Sequence, residues 1–225
     1  MAELSTESLE SRRRADLYVF LSSVYSQPPP AGIVELIRSR RLLDELSLSD
    51  DSPARAELAA FLDESAADPG LERDLTAEYT RLFVLPLGRK GPPIRPHESV
   101  FTDPQMRLGG KVTIGVKRFY DYAGAVLGKN CDEHPDHVGV EMEFMQFLCG
   151  IEVDAMDRGL AAEVEKCRVI QNDFLKEHLL RWIFDLCRYI RKESQSRFYA
   201  GVALMTEDFM SEEQTRLAGA RAAAG

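Results

Sequence analysis

This sequence has no cysteine pair at metal-finger spacing, no surplus of positive charge and no glycine-rich nucleotide fingerprint. Its four cysteines, Cys131, Cys149, Cys167 and Cys187, lie 18, 18 and 20 residues apart, which excludes a CxxC redox motif and a compact disulfide framework. Reduced thiols and a cytoplasmic location are expected. No apolar run reaches the roughly 20 residues that span a bilayer, so no stable membrane insertion is expected. A net charge of −9 argues against nucleic acid as a partner, because such proteins carry a basic footprint.

Catalytic signatures are equally scarce. There is no GxGxxG and no GxSxG. The run from Gly124 to Asn130 approaches a phosphate-binding loop, but it is one residue short and lacks the hydroxyl that would bind magnesium. The residues three before the four histidines are Ile94, Cys131, His134 and Leu175, so the Glu-x-x-His pairs of di-iron bundles are missing. Ser11-Arg12-Arg13 before an apolar stretch imitates a twin-arginine export signal. However, Ala15 and Asp16 stand where apolar residues should follow, and no small-residue cleavage site precedes Pro28. Leu17, Phe20, Leu21 and Val24 instead share one helical face, which leaves the arginines on the wet side.

What the chain does have is helical periodicity. Helices are predicted over about 5–26, 33–46, 53–65 (capped by Ser52, with Pro53 at its first position), 69–85, 105–127 (capped by Asp103), 136–156, 160–180, up to 193, and 196–209. No segment alternates as a strand does. The expectation is an all-α single domain of about eight to ten helices in two sub-halves. These are residues 1–85 and 105–212, joined by a Pro-rich loop at 86–104 and followed by a flexible tail at 213–225. That loop, with five prolines in PLGRKGPPIRPHESVFTDP, is long enough to be functional or to permit domain exchange, so monomer and dimer both remain open.

The most unusual chemistry lies in CDEHPDHVGVEMEFMQFLCGI, from Cys131 to Ile151. Residues 131–165 hold ten acidic side chains and one base, Arg158; residues 166–200 hold eight bases and four acids. An acidic field attracts a cationic partner, and a solvated helix face would read the same way. Cys131, His134, His137 and Glu141 offer thiolate, imidazole and carboxylate groups that suit zinc, hence an alternative as a helical metal-dependent enzyme. The structural alternative makes Asp136 the cap of a helix and puts His137 within reach of Glu141 one turn on. Val138, Met142, Met145 and Cys149 form one stripe of that helix, and Val140, Phe144, Phe147, Leu148 and Ile151 fill much of the rest, as in a core helix.

Glu133-x-Pro135-Asp136-His137-x3-Glu141-x-Glu143-Phe144-Met145-x2-Leu148 resembles the signature of the TorD/DmsD/NarJ family of cytoplasmic redox-enzyme maturation chaperones. Tyr79-Thr-Arg81-Leu82-Phe83, Pro96-His97-Glu98-Ser99-Val100-Phe101 and Phe174-x3-His178-x3-Trp182 agree in the expected order, with Phe101 where tyrosine is commoner. The resemblance implies an all-helical chaperone without catalytic activity. It would bind the twin-arginine leader and apo form of a molybdenum oxidoreductase until cofactor insertion is complete, or serve as an accessory subunit of a reductase complex. It implies no resident cofactor, with transient guanine nucleotide or molybdenum cofactor as family possibilities. Leader binding is expected at Glu133, Pro135, Asp136, His137 and Glu141 as the polar end. Tyr79, Leu82, Phe83, Val100 and Phe101 would form the apolar wall, with Pro96, His97, Glu98 and Ser99 alongside. Carboxylates suit guanidinium groups because they accept paired hydrogen bonds. His137 would make binding pH-sensitive near neutrality.

Overall fold

The computed structural model describes residues 6–85, 94–128 and 133–224 (the backbone alone for 220–224), and these residues are helical with no strand. In chain order the α-helices are α1 (Thr6–Ser26), α2 (Ala31–Arg38), α3 (Leu42–Leu46), α4 (Pro53–Ser65), α5 (Leu71–Tyr79), α6 (Glu98–Thr102), α7 (Lys111–Ala123), α8 (Val138–Asp157), α9 (Ala161–Glu177), α10 (Ile183–Glu193) and α11 (Arg197–Ala224). A π turn (Thr80–Val84) continues α5, and a 3-10 turn (Leu179–Arg181) follows α9.

Two units divide the chain, and not in sequence order. One comprises Met1–Ser26 with His97–Trp182, the other Gln27–Pro96 with Ile183–Gly225. The expected halves at 1–85 and 105–212 do not coincide with these units, because the apolar face of α1 is buried with α8 rather than with the helices that follow α1.

In the first unit, α8 is apolar on most sides and buried along its length, with Val138, Met142, Met145, Leu148 and Cys149 at 1% exposure or less. Each such side chain contributes about 1.5–3 kcal/mol of burial. Helix α1 lies close against α8. Gly139 leaves room for Ser26, whose hydroxyl a Cβ at 139 would strike, and the Ser22 hydroxyl donates to the Gly139 carbonyl at 2.9 Å. Arg13 is on the wet side as expected, but Arg14 is buried. Arg14 donates to Gln171 at 2.8 Å and sits 3.5 Å from Glu152, which also accepts from Arg168 and Gln171 at 2.8 Å. Glu152 therefore leaves the acidic surface and ties α1, α8 and α9 together.

In the second unit, Leu58 of α4 packs over Gly201 of α11, and Phe61 meets Phe198 with ring centroids 5.5 Å apart. Glu78 and Arg81 form a paired salt bridge at 2.6 and 2.8 Å; Arg81 also donates to the Glu193 carbonyl that ends α10, and Glu78 accepts from the Gln195 amide.

Several element boundaries differ from the periodicity. The helix expected over 33–46 breaks at Arg40, whose φ of 59° is left-handed. The one expected over 105–127 starts only at Lys111, because Gly109 and Gly110 take φ values of 90° and 83° that no helix accommodates, and Gly124 in the left-handed region closes it. Asp103 is no cap for it; its carboxylate accepts from the Gln105 amide in a local turn. The loop expected over 86–104 contains α6, while 86–93 lie outside the described residues. The tail expected from 213 is a continuation of α11.

Candidate functional site: the His97–His137 corner

Two segments singled out in the sequence meet in the first unit. His97 and His137 face each other in an isolated antiparallel bridge, and the Glu98 amide donates to the Asp136 carbonyl at 2.9 Å. The Asp136 carboxylate then accepts from the Ser99 amide at 3.0 Å and the Thr113 hydroxyl at 2.7 Å. One side chain thus holds the start of α6, the first turn of α7 and the approach to α8. Ser99 returns the favour on its other side, its hydroxyl accepting from the Gly109 amide at 3.1 Å. Tyr120 of α7 donates to the Pro135 carbonyl at 2.7 Å.

Asp136 therefore does not cap α8. His137 is the N-cap, its Nδ1 accepting from the Gly139 amide at 3.1 Å. The reason is competition: Asp136 has two better placed donors on other elements, and the next residue takes the cap. Nor does His137 pair with Glu141. Glu141 is fully buried and accepts from the Trp182 indole at 3.2 Å. Beside it lies Glu98, also fully buried, whose other oxygen meets His178 Nδ1 at 2.7 Å.

Burial would raise the Asp136 carboxyl, but the Ser99 and Thr113 hydrogen bonds and the nearby His97 outweigh it and hold it below the ordinary 3.8. Glu141 goes the other way. Burial pushes it well above the ordinary 4.5, and the Glu98 charge adds to this against the opposing Trp182 hydrogen bond. Glu98 Oε1 and Glu141 Oε1 are both buried without a conventional donor among the described residues. A protonated Glu141 donating to Glu98 would satisfy both oxygens.

His137 is lowered to about 3, by burial first and then by the His97 charge, against the opposing pull of Asp136. It is neutral at physiological pH and is no switch near neutrality, contrary to the expectation from its type. Its effect is on acid stability. The unfolded chain takes up a proton below about 6.5 while the folded chain does not, so stability is complete above 6.5 and declines toward 3 by about 1.4 kcal/mol per pH unit. His137→Asn keeps a side-chain acceptor for the Gly139 amide and removes the titration. Between pH 6.5 and 5, urea unfolding midpoints of that variant should therefore rise relative to those of the wild type; parallel curves would refute the assignment.

The expected site residues separate by exposure. Asp136, His137, Glu141, Glu98 and Ser99 are buried, as are Pro96 and His97. They cannot touch a partner from where they stand. Glu133 is 51% exposed, with its carboxylate 3.6 Å from His97 Nε2; His134 is exposed, and Pro135, Val100 and Phe101 are half-buried. Phe101 leans on Trp182, centroids 5.3 Å apart. Tyr79, Leu82 and Phe83 belong to the second unit and are core: Phe83 sits 5.2 Å from Tyr79 and 6.2 Å from Tyr199. The family resemblance had implied a wall here, whereas the exposed apolar residues at this end are Val84 and Leu85.

The metal reading loses its geometry as well. His137 Nδ1 is engaged with a backbone amide and Glu141 with Trp182, and among the described residues no three His, Cys, Asp or Glu side chains are grouped to hold an ion. Cys131 lies outside the described residues. The near phosphate loop does not fit nucleotide either. Gly124 ends α7, whereas such a loop must open a helix, and Lys129 and Asn130 lie outside the described residues. Among the described residues no helix is long and apolar enough to cross a membrane.

Four partners in this corner were not assigned a role from the sequence: Thr113, Tyr120, His178 and Trp182. His178 and Trp182 were visible as a spaced pattern with Phe174, but nothing in that spacing tells which carboxylates they meet. Thr113 carried no signal at all.

The sequence that builds this corner is similar to sequences of known proteins. The chain is 23% identical over 196 residues to the probable Tat proofreading chaperone DmsD of Haemophilus influenzae, an alignment covering 86% of this chain and 85% of that protein. It is 22% identical over 210 residues to the chaperone protein TorD of Vibrio cholerae, covering 91% of each. Over 100 residues it is 32% identical to the selenate reductase assembly chaperone protein of Thauera selenatis, covering 44% of this chain and 50% of that one. The model of the nitrate reductase delta subunit family matches residues 48–188, which include the whole corner from His97 to Trp182, and the chain belongs to that family.

Proposed function

We propose that this protein is a maturation chaperone for a molybdenum-cofactor oxidoreductase. It binds the twin-arginine leader of its client and holds the apo form until cofactor insertion is complete, with no catalytic step of its own. Its relatives support the coarser part of this reading, since they are named as chaperones and two of them for the assembly of selenate and chlorate reductases.

The observation that carries the leader reading is the division of labour at the corner. A polar lattice of buried Asp136, Ser99, Glu98 and Glu141 with half-buried Thr113 fixes the backbone, and Glu133 projects from it into solvent. The buried residues position the site; Glu133 makes the contact. A carboxylate held on a rigid backbone accepts two parallel hydrogen bonds from a guanidinium, which a lysine ammonium cannot supply in that geometry. Half-buried Val100 and Phe101 in this unit offer apolar contact for the leader's middle.

Calorimetry with a synthetic twin-arginine leader tests this. Affinity should fall as salt rises, and should drop about five- to ten-fold for a twin-lysine leader or for Glu133→Gln. Because Glu133 is exposed, that variant should keep its thermal midpoint. Equal affinity for a scrambled leader would sink the reading.

A further inference from the structure

Within the first unit, α7 and the end of α9 enclose an open cleft of about 700 Å³. Phe119, Gly115 and His178 line it, and the absence of a side chain at 115 lets the His178 ring edge approach; a Cβ there would stand 3.2 Å from His178 Cε1. Arg118, Lys176 and Arg181 also line it, with Glu177 as an opposing carboxylate, and Tyr122, 71% exposed, borders it. This is a local excess of positive charge in a chain whose net charge is −9.

The cations are poorly compensated. Among the described residues Arg118 and Lys176 have no hydrogen-bond or ion-pair partner. Arg181 donates to the Glu177 carbonyl at 3.3 Å and stands 4.0 Å from buried Glu98. The neighbouring Lys117 is by contrast neutralised by Asp121 at 2.8 Å. Like charges gathered beside an exposed aromatic ring repel one another until an anion separates them.

We propose that this cleft is a second client-binding surface, and that it takes an acidic, aromatic-containing segment of the client polypeptide outside its cationic leader. The proposal rests on the chaperone reading and adds a site of opposite sign to the leader contact at Glu133. Charge alone keeps the leader out of it. The layout also favours a peptide over a compact phosphate. The three cations are spread over α7, α9 and the 3-10 turn, so they match carboxylates spaced along a chain. The helix end beside them is the C-terminus of α9, whose carbonyl-end dipole disfavours a concentrated negative charge; phosphate sites use helix N-termini. Phe119 and Tyr122 provide the face for an apolar or aromatic side chain between the carboxylates.

The test uses the full chain and a fluorescent decapeptide in which Glu and Asp alternate with Phe and Leu, followed by anisotropy. Arg118→Gln combined with Lys176→Gln should weaken binding about five- to ten-fold. Arg73→Gln combined with Lys192→Gln, the same charge change in the other unit, should not. Both Arg118 and Lys176 are exposed, so circular dichroism and the thermal midpoint should be unchanged. Unaltered affinity in the Arg118/Lys176 variant overturns the proposal, as does equal weakening in the control pair. Competition by inorganic phosphate at concentrations where sodium chloride of equal ionic strength does not compete overturns the peptide assignment in favour of a compact anion. Affinity of the twin-arginine leader, measured on the same variants, should stay within two-fold of wild type. If the leader does not bind wild-type protein while the acidic peptide does, the leader reading fails and the cleft stands.

Discussion

Asp136→Ala should lower folding stability by about 3–5 kcal/mol, on the scale of two lost hydrogen bonds to a buried charged group. The carboxylate is fully buried and joins three elements: it accepts from the Ser99 amide in the first turn of α6 and from Thr113 in the first turn of α7, and its residue stands immediately before the N-cap of α8. Alanine leaves the buried Ser99 amide and the half-buried Thr113 hydroxyl without that acceptor. Asparagine should cost less, about 1–2 kcal/mol, because its amide oxygen can still face the Ser99 amide while the Thr113 hydroxyl turns to accept. The contribution has a pH signature. Because the folded-state carboxyl titrates below 3.8, the stabilisation is present above that value and disappears as pH falls through the lower folded-state value. Urea unfolding of the three proteins at pH 7, with leader affinity measured where each is folded, separates the roles. An alanine variant as stable as wild type that loses only leader binding would show that Asp136 is a contact residue after all, and the buried scaffold described above would be wrong.

The second large effect concerns Glu141. The folded chain keeps a proton on this group that the unfolded chain releases above about 4.5. Stability is therefore complete below that value and is lost as pH rises toward the raised folded-state value, by about 1.4 kcal/mol per pH unit. Glu141→Gln supplies the same donor to Glu98 permanently and retains an oxygen for the Trp182 indole. Near pH 5 it should match the wild type; by pH 8 it should be the more stable of the two, with a flatter profile. Glu141→Leu should instead cost about 3 kcal/mol near pH 5, because it strands both the Trp182 N–H and a Glu98 oxygen. Unfolding midpoints at pH 5 and 8 decide the matter, and parallel wild-type and glutamine curves would exclude a shared proton. The acid-side loss from His137 runs equal and opposite to it between about 4.5 and 6.5, so the two together predict a flat stability plateau over that range in the wild type, with stability falling on either side.

Much of this architecture was legible because it depends on local chemistry. Ser52-Pro53 caps and opens α4 as read, since a serine acceptor and a proline with no amide to satisfy act on their own neighbours. The apolar run after His137 was readable as a core helix because a helix without a polar face has nowhere else to go. The two motif segments at the corner were also visible as strings. By contrast, which side chains of those strings face inward depends on partners 20 to 80 residues away. Asp136 looked like a cap and became a tie because Ser99 and Thr113 compete for it. Glu141 looked like surface acid and became half of a buried pair with Glu98, because Trp182 and His178 close over that pair. Phe83 was expected as wall and is core, because it packs against Tyr79 and, 116 residues on, Tyr199.

The amino-acid sequence by itself determined that the chain is helical, where most helices start, and which segments carry unusual chemistry, since propensity, capping and periodicity act within a few residues. Only the tertiary structure decided which carboxylates are buried, which hold a proton and which remain for a partner. Those properties depend on desolvation and on hydrogen bonds between elements distant in sequence, which local pattern does not encode.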